Sequence, residues 1–223
     1  MEPWGSETPA IVEACYPGQE AGTAIAEILF GDINPSGKLP FTCLKRWKDS
    51  FAYDHYQVGA DERLEYPEGI YVGYRWYDRP GAVPVAFSFG HGLSYTTFSY
   101  SKLTVSPKTS ATGDVECTLQ VANTGKREGA EVVQLYLGDD LASVDRPVKE
   151  LKAYRKVFLK PGESTTVKLS IKPDDLKFYD VVTRDWKSEP GSFTVHVGSS
   201  SRDIRLLGKF TLVPPAGAPK AKG

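Results

Sequence analysis

The sequence has three cysteines, one methionine, almost no net charge and no long hydrophobic run. Cys15, Cys43 and Cys117 are too few and too scattered for a disulfide framework or a zinc site, and an odd number leaves at least one free thiol. With 27 Lys and Arg against 28 Asp and Glu, the formal charge is −1. That balance excludes the basic surface typical of proteins that bind nucleic acid or anionic membranes. The lack of a run of about 18 apolar residues predicts no transmembrane helix.

The residues that are present favour a folded protein made of short strands. Hydrophobic residues make up 40% of the 223 positions and aromatic residues 12%, which is enough apolar surface for a core. The 21 glycines and 16 prolines indicate many turns. The first twenty residues, with Glu2, Glu7 and Glu13, do not resemble a signal peptide. We expect a mainly β protein, and its compartment, secreted or cytoplasmic, stays open.

Residues 1–45 predict a strand, a helix and a second strand. The apolar stretch 10–16 lies between two prolines and predicts a buried strand. Apolar residues spaced by three and four predict a helix over 20–30 that ends at Gly31. Residues 38–42 predict a short edge strand. This order is typical of the end of an open α/β sheet.

Residues 46–97 predict a connecting region rich in aromatic side chains. Residues 45–66 have no clear period and predict a long surface loop, residues 70–77 predict a strand, and residues 89–95 predict a glycine-rich connector. Exposed aromatic rings can stack on the apolar faces of sugars or pack against a neighbouring domain. The candidates for sugar binding are Trp47, Tyr53, Tyr56 and Trp76.

From residue 98 the pattern is all-β. Seven short segments with frequent turn residues between them predict an immunoglobulin-like sandwich. The segments are 98–105, 115–121, 131–137, 149–159, 164–171, 193–198 and 204–212. Residues 214–223 are rich in Pro, Gly, Ala and Lys, and they predict a disordered tail.

Several phrases, in this order and spacing, resemble one family. They are YPGQE at 16–20, LFGDINPSGKLP at 29–40, EGIYVGYRWYD at 68–78 and FGHGLSYTTF at 89–98. The sequence is similar, over about 3–213, to the C-terminal part of family 3 glycoside hydrolases of the β-glucosidase branch. The later phrases resemble the fibronectin type III-like domain of that family. They are NTG at 123–125, EVVQLY at 131–136, KEL at 149–151 and FYD at 178–180.

The resemblance implies a division of the chain into four parts. Residues 1–45 would be the remnant of an α/β sandwich domain and 46–97 the linker that crosses between modules. Residues 98–213 would form the fibronectin type III-like domain, and 214–223 the tail.

The resemblance also implies where the chemistry lies. The parent reaction would be retaining hydrolysis of terminal β-glucosyl residues by an Asp on a (β/α)₈-like barrel and a Glu on the upstream part of the sandwich domain. Both carboxylates would lie outside this chain, so we expect no catalytic residue, no metal and no cofactor here, and an inactive isolated chain. Its partners would be β-glucosides or oligosaccharides in the full-length context, and the missing barrel and sandwich domain.

Two alternative functions and one expected self-association stay open. The chain could be an accessory module that binds carbohydrate or protein, or a subunit completed in trans by a separate catalytic chain. An unpaired apolar strand edge in residues 1–45 would also favour self-association through that segment.

Other residues have side chains that could act in catalysis, but we interpret them as having structural roles. Ser88, His91 and Ser94 lack the nucleophile elbow of a hydrolase triad, and we expect His91 to hydrogen-bond at the junction of the two modules. The remaining candidates are carboxylates, which we interpret as solvated charges or turn caps. They are Asp61, Glu62, Glu65, Glu68, Asp139 and Asp140.

Overall fold

The computed structural model describes residues 4–56, 58, 62–110 and 112–214. The first part of the chain has short elements, and the second part is a β-sandwich. The helices are α1 (Ala21–Phe30) and α2 (Tyr74–Tyr77), and the first two strands are β1 (Cys43–Leu44) and β2 (Val85–Phe87). The longer strands are β3 (Phe98–Val105), β5 (Val115–Asn123), β6 (Gly129–Asp139), β7 (Glu150–Leu159), β8 (Ser164–Ile171), β11 (Gly191–Gly198) and β12 (Ile204–Leu212). Three more short strands are β4 (Lys108–Thr109), β9 (Phe178–Asp180) and β10 (Asp185–Lys187).

Two sheets form the sandwich. One has the order β4-β12-β11-β6-β7 and the other β3-β5-β8. Every pairing is antiparallel except that of β4 with β12. The predicted helix at 20–30 and the seven predicted strands of the sandwich are therefore confirmed in position. The mainly β fold class is confirmed with them, and the domain boundaries stay predictions.

The core lies between the two sheets. Strand β5 alternates buried and less buried side chains, as expected for a strand with one face in the core. Phe193 and Phe210 lie in the centre, with stacked rings and centroids 5.3 Å apart. Each fully buried Val, Leu or Phe contributes about 2 kcal/mol of transfer free energy. Within the described part of the chain, the core cluster begins at Val115 and ends at Leu212.

Strand β6 is covered on both faces. Leu135 belongs to the core cluster, whereas Gln134 points to the connector that precedes β3. The Gln134 side-chain amide donates to the Gly90 carbonyl at 3.1 Å. Gly90 has φ +79°, and a Cβ there would lie 2.1 Å from Gln134 Oε1. Only glycine therefore fits this close approach.

Three predicted strands are wrong. Residues 10–16 form no strand, and Ile11 and Val12 are exposed, because no described strand lies beside them to complete a ladder. The strand predicted at 38–42 is instead β1 at Cys43–Leu44, which pairs with β2, a strand missed in the sequence. Residues 70–77 contain the short helix α2.

The three thiols have different environments. Cys117 is buried in the core, Cys43 is half-buried and Cys15 is exposed. All three are free. Across the ranges that the structure describes, no helix is long and apolar enough to cross a membrane. The predicted tail lies outside the described residues from position 215 onward.

Candidate functional site

Three of the four predicted sugar-binding residues form one exposed cluster. The Trp47 ring packs edge-on against Tyr53 and Tyr56, with centroid distances of 6.1 and 6.5 Å. Trp47 is 61% exposed and Tyr56 72% exposed. We call Trp47, Tyr53 and Tyr56 the aromatic cluster. Its rings are large apolar surfaces that remain open to solvent.

A short turn fixes the position of Trp47. Residues Trp47–Asp49 form one turn of 3₁₀ helix. Arg46 donates two hydrogen bonds to the Asp49 carboxylate, at 3.0 and 2.8 Å, in a bidentate pair across this turn. The hydrogen bonds from Arg46 lower the pKa of the Asp49 carboxyl. Bidentate pairing of this kind restricts the turn that carries Trp47.

Trp76 lies apart from the aromatic cluster in its contacts. Its ring packs against Phe51, with centroids 5.7 Å apart. The Arg79 guanidinium carbon lies 3.6 Å from the Trp76 ring centroid, so that face of the indole is covered. Phe51 also packs on the buried Tyr77. Trp76 and Tyr77 thus form the surface of α2 that the loop carrying Phe51 contacts.

Two of the acidic candidates, Asp139 and Asp140, bind separate partners. Asp139 binds Arg146 at 3.1 Å. Asp140 accepts hydrogen bonds from Ser192, Thr194 and Lys209, which outweigh the effect of partial burial and lower the pKa of its carboxyl. Glu62, Glu65 and Glu68 do not lie in the buried core, and Asp61 lies outside the described residues. In the described ranges, no group of acidic, His or Cys side chains is arranged to hold a metal.

Ser88, His91 and Ser94 have separate partners. Ser88 hydrogen-bonds Ser200, and Ser94 donates to the Asn34 side chain. The His91 ring stacks on Phe87 with centroids 5.1 Å apart, and its burial lowers the pKa of the imidazole. The His91 main-chain carbonyl accepts the Leu39 amide at 2.8 Å, a contact within the segment before residue 98, so hydrogen bonding of His91 at the junction of the two modules stays a prediction.

Buried ion pairs across the junction were missed in the sequence. Lys38 Nζ lies 3.3 Å from Glu131 Oε1, and the Tyr100 hydroxyl donates to the same oxygen at 2.9 Å. Lys149 Nζ binds Asp78 Oδ2 at 2.7 Å. The paired residues are 93 and 71 positions apart, so no local pattern signals them. These pairs join the segment before residue 98 to the sandwich.

Two family models match the chain. A model described as the glycosyl hydrolase family 3 C-terminal domain matches residues 1–74. A model described as a fibronectin type III-like domain matches residues 131–201.

Curated relatives agree with the family models. The chain is 47% identical over 207 residues to β-glucosidase BoGH3A of Bacteroides ovatus, covering 91% of this chain and 28% of the relative. It is 44% identical to thermostable β-glucosidase B of Acetivibrio thermocellus, covering 92% of this chain and 27% of that protein. The chain thus spans little more than a quarter of the length of these relatives.

Solved structures show the same likeness in three dimensions. The chain is 38% identical to the Bifidobacterium adolescentis GH3 β-glucosidase, with a TM-score of 0.88, covering 94% of this chain and 31% of that one. The chain is 40% identical to DesR, a β-glucosidase from Streptomyces venezuelae solved in complex with D-glucose. The TM-score is 0.86, and the match covers 95% of this chain and 27% of DesR. The chain therefore belongs to glycosyl hydrolase family 3, as the C-terminal part of a β-glucosidase-like protein that includes a fibronectin type III-like domain.

Proposed function

We propose that this chain is the structural C-terminal part of a β-glucosidase. In that enzyme, catalytic groups outside the chain carry out retaining hydrolysis of terminal β-glucosyl residues. The sandwich buttresses the domain that carries residues 1–74, and the aromatic cluster contributes to the rim of the sugar site or to the contact with the missing domains. The names of the similar proteins, which are β-glucosidases, support the parent activity.

One observation carries the proposal: apolar side chains are distributed unequally. The core cluster comes from residues 115–212, whereas α1 has no buried side chain among its described residues. Large exposed apolar patches mark contact surfaces. Among the described residues of the first part, the large apolar side chains that are more than half exposed are Trp4, Tyr16, Leu29, Phe30, Trp47, Tyr56, Val58, Tyr66, Val72 and Leu93. We infer that the missing barrel and sandwich domain cover this surface.

Complementation tests the proposal. The purified chain alone should hydrolyse a chromogenic β-glucoside no faster than buffer. It should restore activity when co-expressed with the Bacteroides ovatus relative truncated at the start of the matching region. Activity of the chain alone that survives repurification, and disappears when a single Asp or Glu of this chain is replaced, would contradict the proposal.

A second function is favoured by the exposure of the aromatic cluster. An accessory module would retain polysaccharide through Trp47 and Tyr56, because sugar rings stack on exposed aromatic faces. Pull-down of the chain with insoluble glucan measures this directly. Trp47→Ala should abolish retention, and Tyr154→Ala, an exposed tyrosine on β7, is the matched control. Equal loss with both variants would argue against a site at the aromatic cluster.

The same apolar surface should make the isolated chain self-associate. Phe30 is 86% exposed at the end of α1. Phe30→Asp should lower the apparent mass in a light-scattering concentration series, whereas Phe158→Asp on the sandwich, 75% exposed in the native chain, should change it less. A monomer at every concentration in all three proteins would argue against association through residues 1–45.

A further inference from the structure

A surface groove is lined by residues that follow the aromatic cluster in the sequence. A groove of about 460 Å³ separates residues 71–82 from the loop that joins β6 to β7. Tyr71 and Arg79 line one wall, and Asp145 and Val148 line the other. A volume of this size is within the range of small-molecule sites.

Arg79 is held in a fixed position in this groove. Its guanidinium carbon lies 3.6 Å from the centroid of the Trp76 ring and 5.0 Å from that of Tyr71. Nε donates to the Trp76 carbonyl at 3.4 Å. Within the described ranges, no hydrogen bond or ion pair occupies the two Nη nitrogens. The stacking therefore orients donors that remain available to a ligand.

Asp145 supplies the acceptor on the opposite wall. One carboxylate oxygen, Oδ1, accepts the Tyr71 hydroxyl at 2.5 Å. The second oxygen, Oδ2, accepts no hydrogen bond from the residues that the structure describes. Arg79 and Asp145 both belong to the described part of the chain and form no ion pair with each other there. More than 4 Å therefore separates the guanidinium nitrogens of Arg79 from the carboxylate oxygens of Asp145.

Arg146 also lines the groove, but its guanidinium is paired with Asp139 and Glu150, so the charges of Arg79 and Asp145 select the class of ligand. An anion would be attracted by Arg79 but repelled by Asp145, and a cation would meet the reverse. A neutral polyol avoids both penalties, because its hydroxyl groups accept from a guanidinium and donate to a carboxylate. The exposed side chain of Val148 offers an apolar contact for the C–H face of a ring. We propose that the groove between Arg79 and Asp145 binds one neutral sugar residue through neighbouring hydroxyl groups.

Titration of the full chain with three ring-matched probes tests the proposal. Amide NMR shifts are recorded with methyl β-glucoside, glucuronate and glucosamine. Methyl β-glucoside should shift resonances of residues 71–82 and 145–148, and the two charged sugars should bind at least several-fold more weakly. No shift in these segments, or shifts confined to Trp47, Tyr53 and Tyr56, would overturn the site while leaving the structural role of the chain untouched.

Two variants assign the contacts. Arg79→Met keeps an apolar chain over Trp76 and removes the donors, so affinity for methyl β-glucoside should fall about tenfold or more. Asp145→Asn keeps an acceptor for Tyr71 and removes the charge, so the preference for neutral sugar over glucuronate should vanish. Arg155→Met, at an exposed position on β7, is the control. Unchanged affinity and unchanged preference in variants whose circular dichroism is native would overturn the proposal.

Discussion

The Tyr95 hydroxyl donates a hydrogen bond to the main-chain carbonyl of Ile28, 67 positions earlier, at an O···O distance of 2.7 Å. Ile28 lies in the last turn of α1, and its carbonyl also accepts the Gly31 main-chain amide at 3.1 Å. Arg127 Nη2 donates to the Gly31 carbonyl at 2.6 Å. The end of α1 is therefore anchored by side chains from the segment before β3 and from the β5–β6 turn.

Removing these anchors should loosen α1. A ten-residue helix is marginal in water on its own, so its order depends on tertiary contacts. Tyr95→Phe and Arg127→Met should each lower the local opening free energy of α1 by about 1 kcal/mol. Hydrogen exchange of amides 24–30 should accelerate severalfold, and exchange in β5 and β6 should not change. Tyr53→Phe serves as the control, and unaltered protection of α1 in both variants would refute the anchoring.

Disrupting the Lys38–Glu131 pair should destabilise the protein. Both side chains are largely buried, and Glu131 also accepts the Tyr100 hydroxyl. Glu131→Met leaves the Lys38 ammonium without its carboxylate, and Lys38→Met leaves Glu131 without its cation. Each single change should cost about 3 kcal/mol in urea unfolding, because a buried charge loses its partner. The double variant should cost less than the sum, and strict additivity would count against coupling.

Truncating the centre of the core should cost more than any surface change. Phe193 is fully buried against Phe210. Phe193→Ala should lower the free energy of unfolding by about 3–5 kcal/mol, through lost transfer free energy and the cavity left behind. Phe158→Ala removes the same ring from a 75% exposed position and should change stability by about 0.5 kcal/mol or less. Similar losses for the two variants would contradict the position of the core.

Acid should weaken the β9–β10 hairpin through Asp180. Hydrogen bonds from Lys187 and from the Val182 amide lower the pKa of its carboxyl from 3.8 to about 2. A depressed carboxyl pKa stabilises the native state fully above the unfolded value, and that contribution is lost as pH falls from about 4 to about 2. The melting temperature of the native chain should approach that of Asp180→Asn over this interval.

Asp185→Asn, in the same hairpin, is the control for this pH dependence. A constant difference in melting temperature between the native chain and Asp180→Asn from pH 5 to pH 2 would show that Asp180 does not titrate in this way.

The sequence alone determined the sandwich, because alternation along each strand is set by which face is buried. Val115, Cys117, Leu119 and Val121 occupy alternate positions, and all four are in the core. The helix α1 followed from its apolar spacing and from Gly31, whose φ of +82° is the left-handed conformation that ends helices. The order and spacing of the sequence motifs indicated the family, and no side-chain contact was needed for that assignment.

Tertiary structure decided the rest, because the deciding partners are distant in sequence. Residues 70–77 have β-prone side chains, yet residues 74–77 form a helical turn. In that turn Tyr74 packs on Phe89 and Tyr136, and the next residue, Asp78, forms an ion pair with Lys149. Residues 10–16 have the composition of a strand, but a strand needs a neighbour to satisfy its backbone groups, and the described chain places none beside them. Trp76 was likewise a candidate for sugar binding in the sequence, but in the folded chain the Arg79 guanidinium lies over its ring. The fold also places Arg79 and Asp145 on opposite walls of one groove.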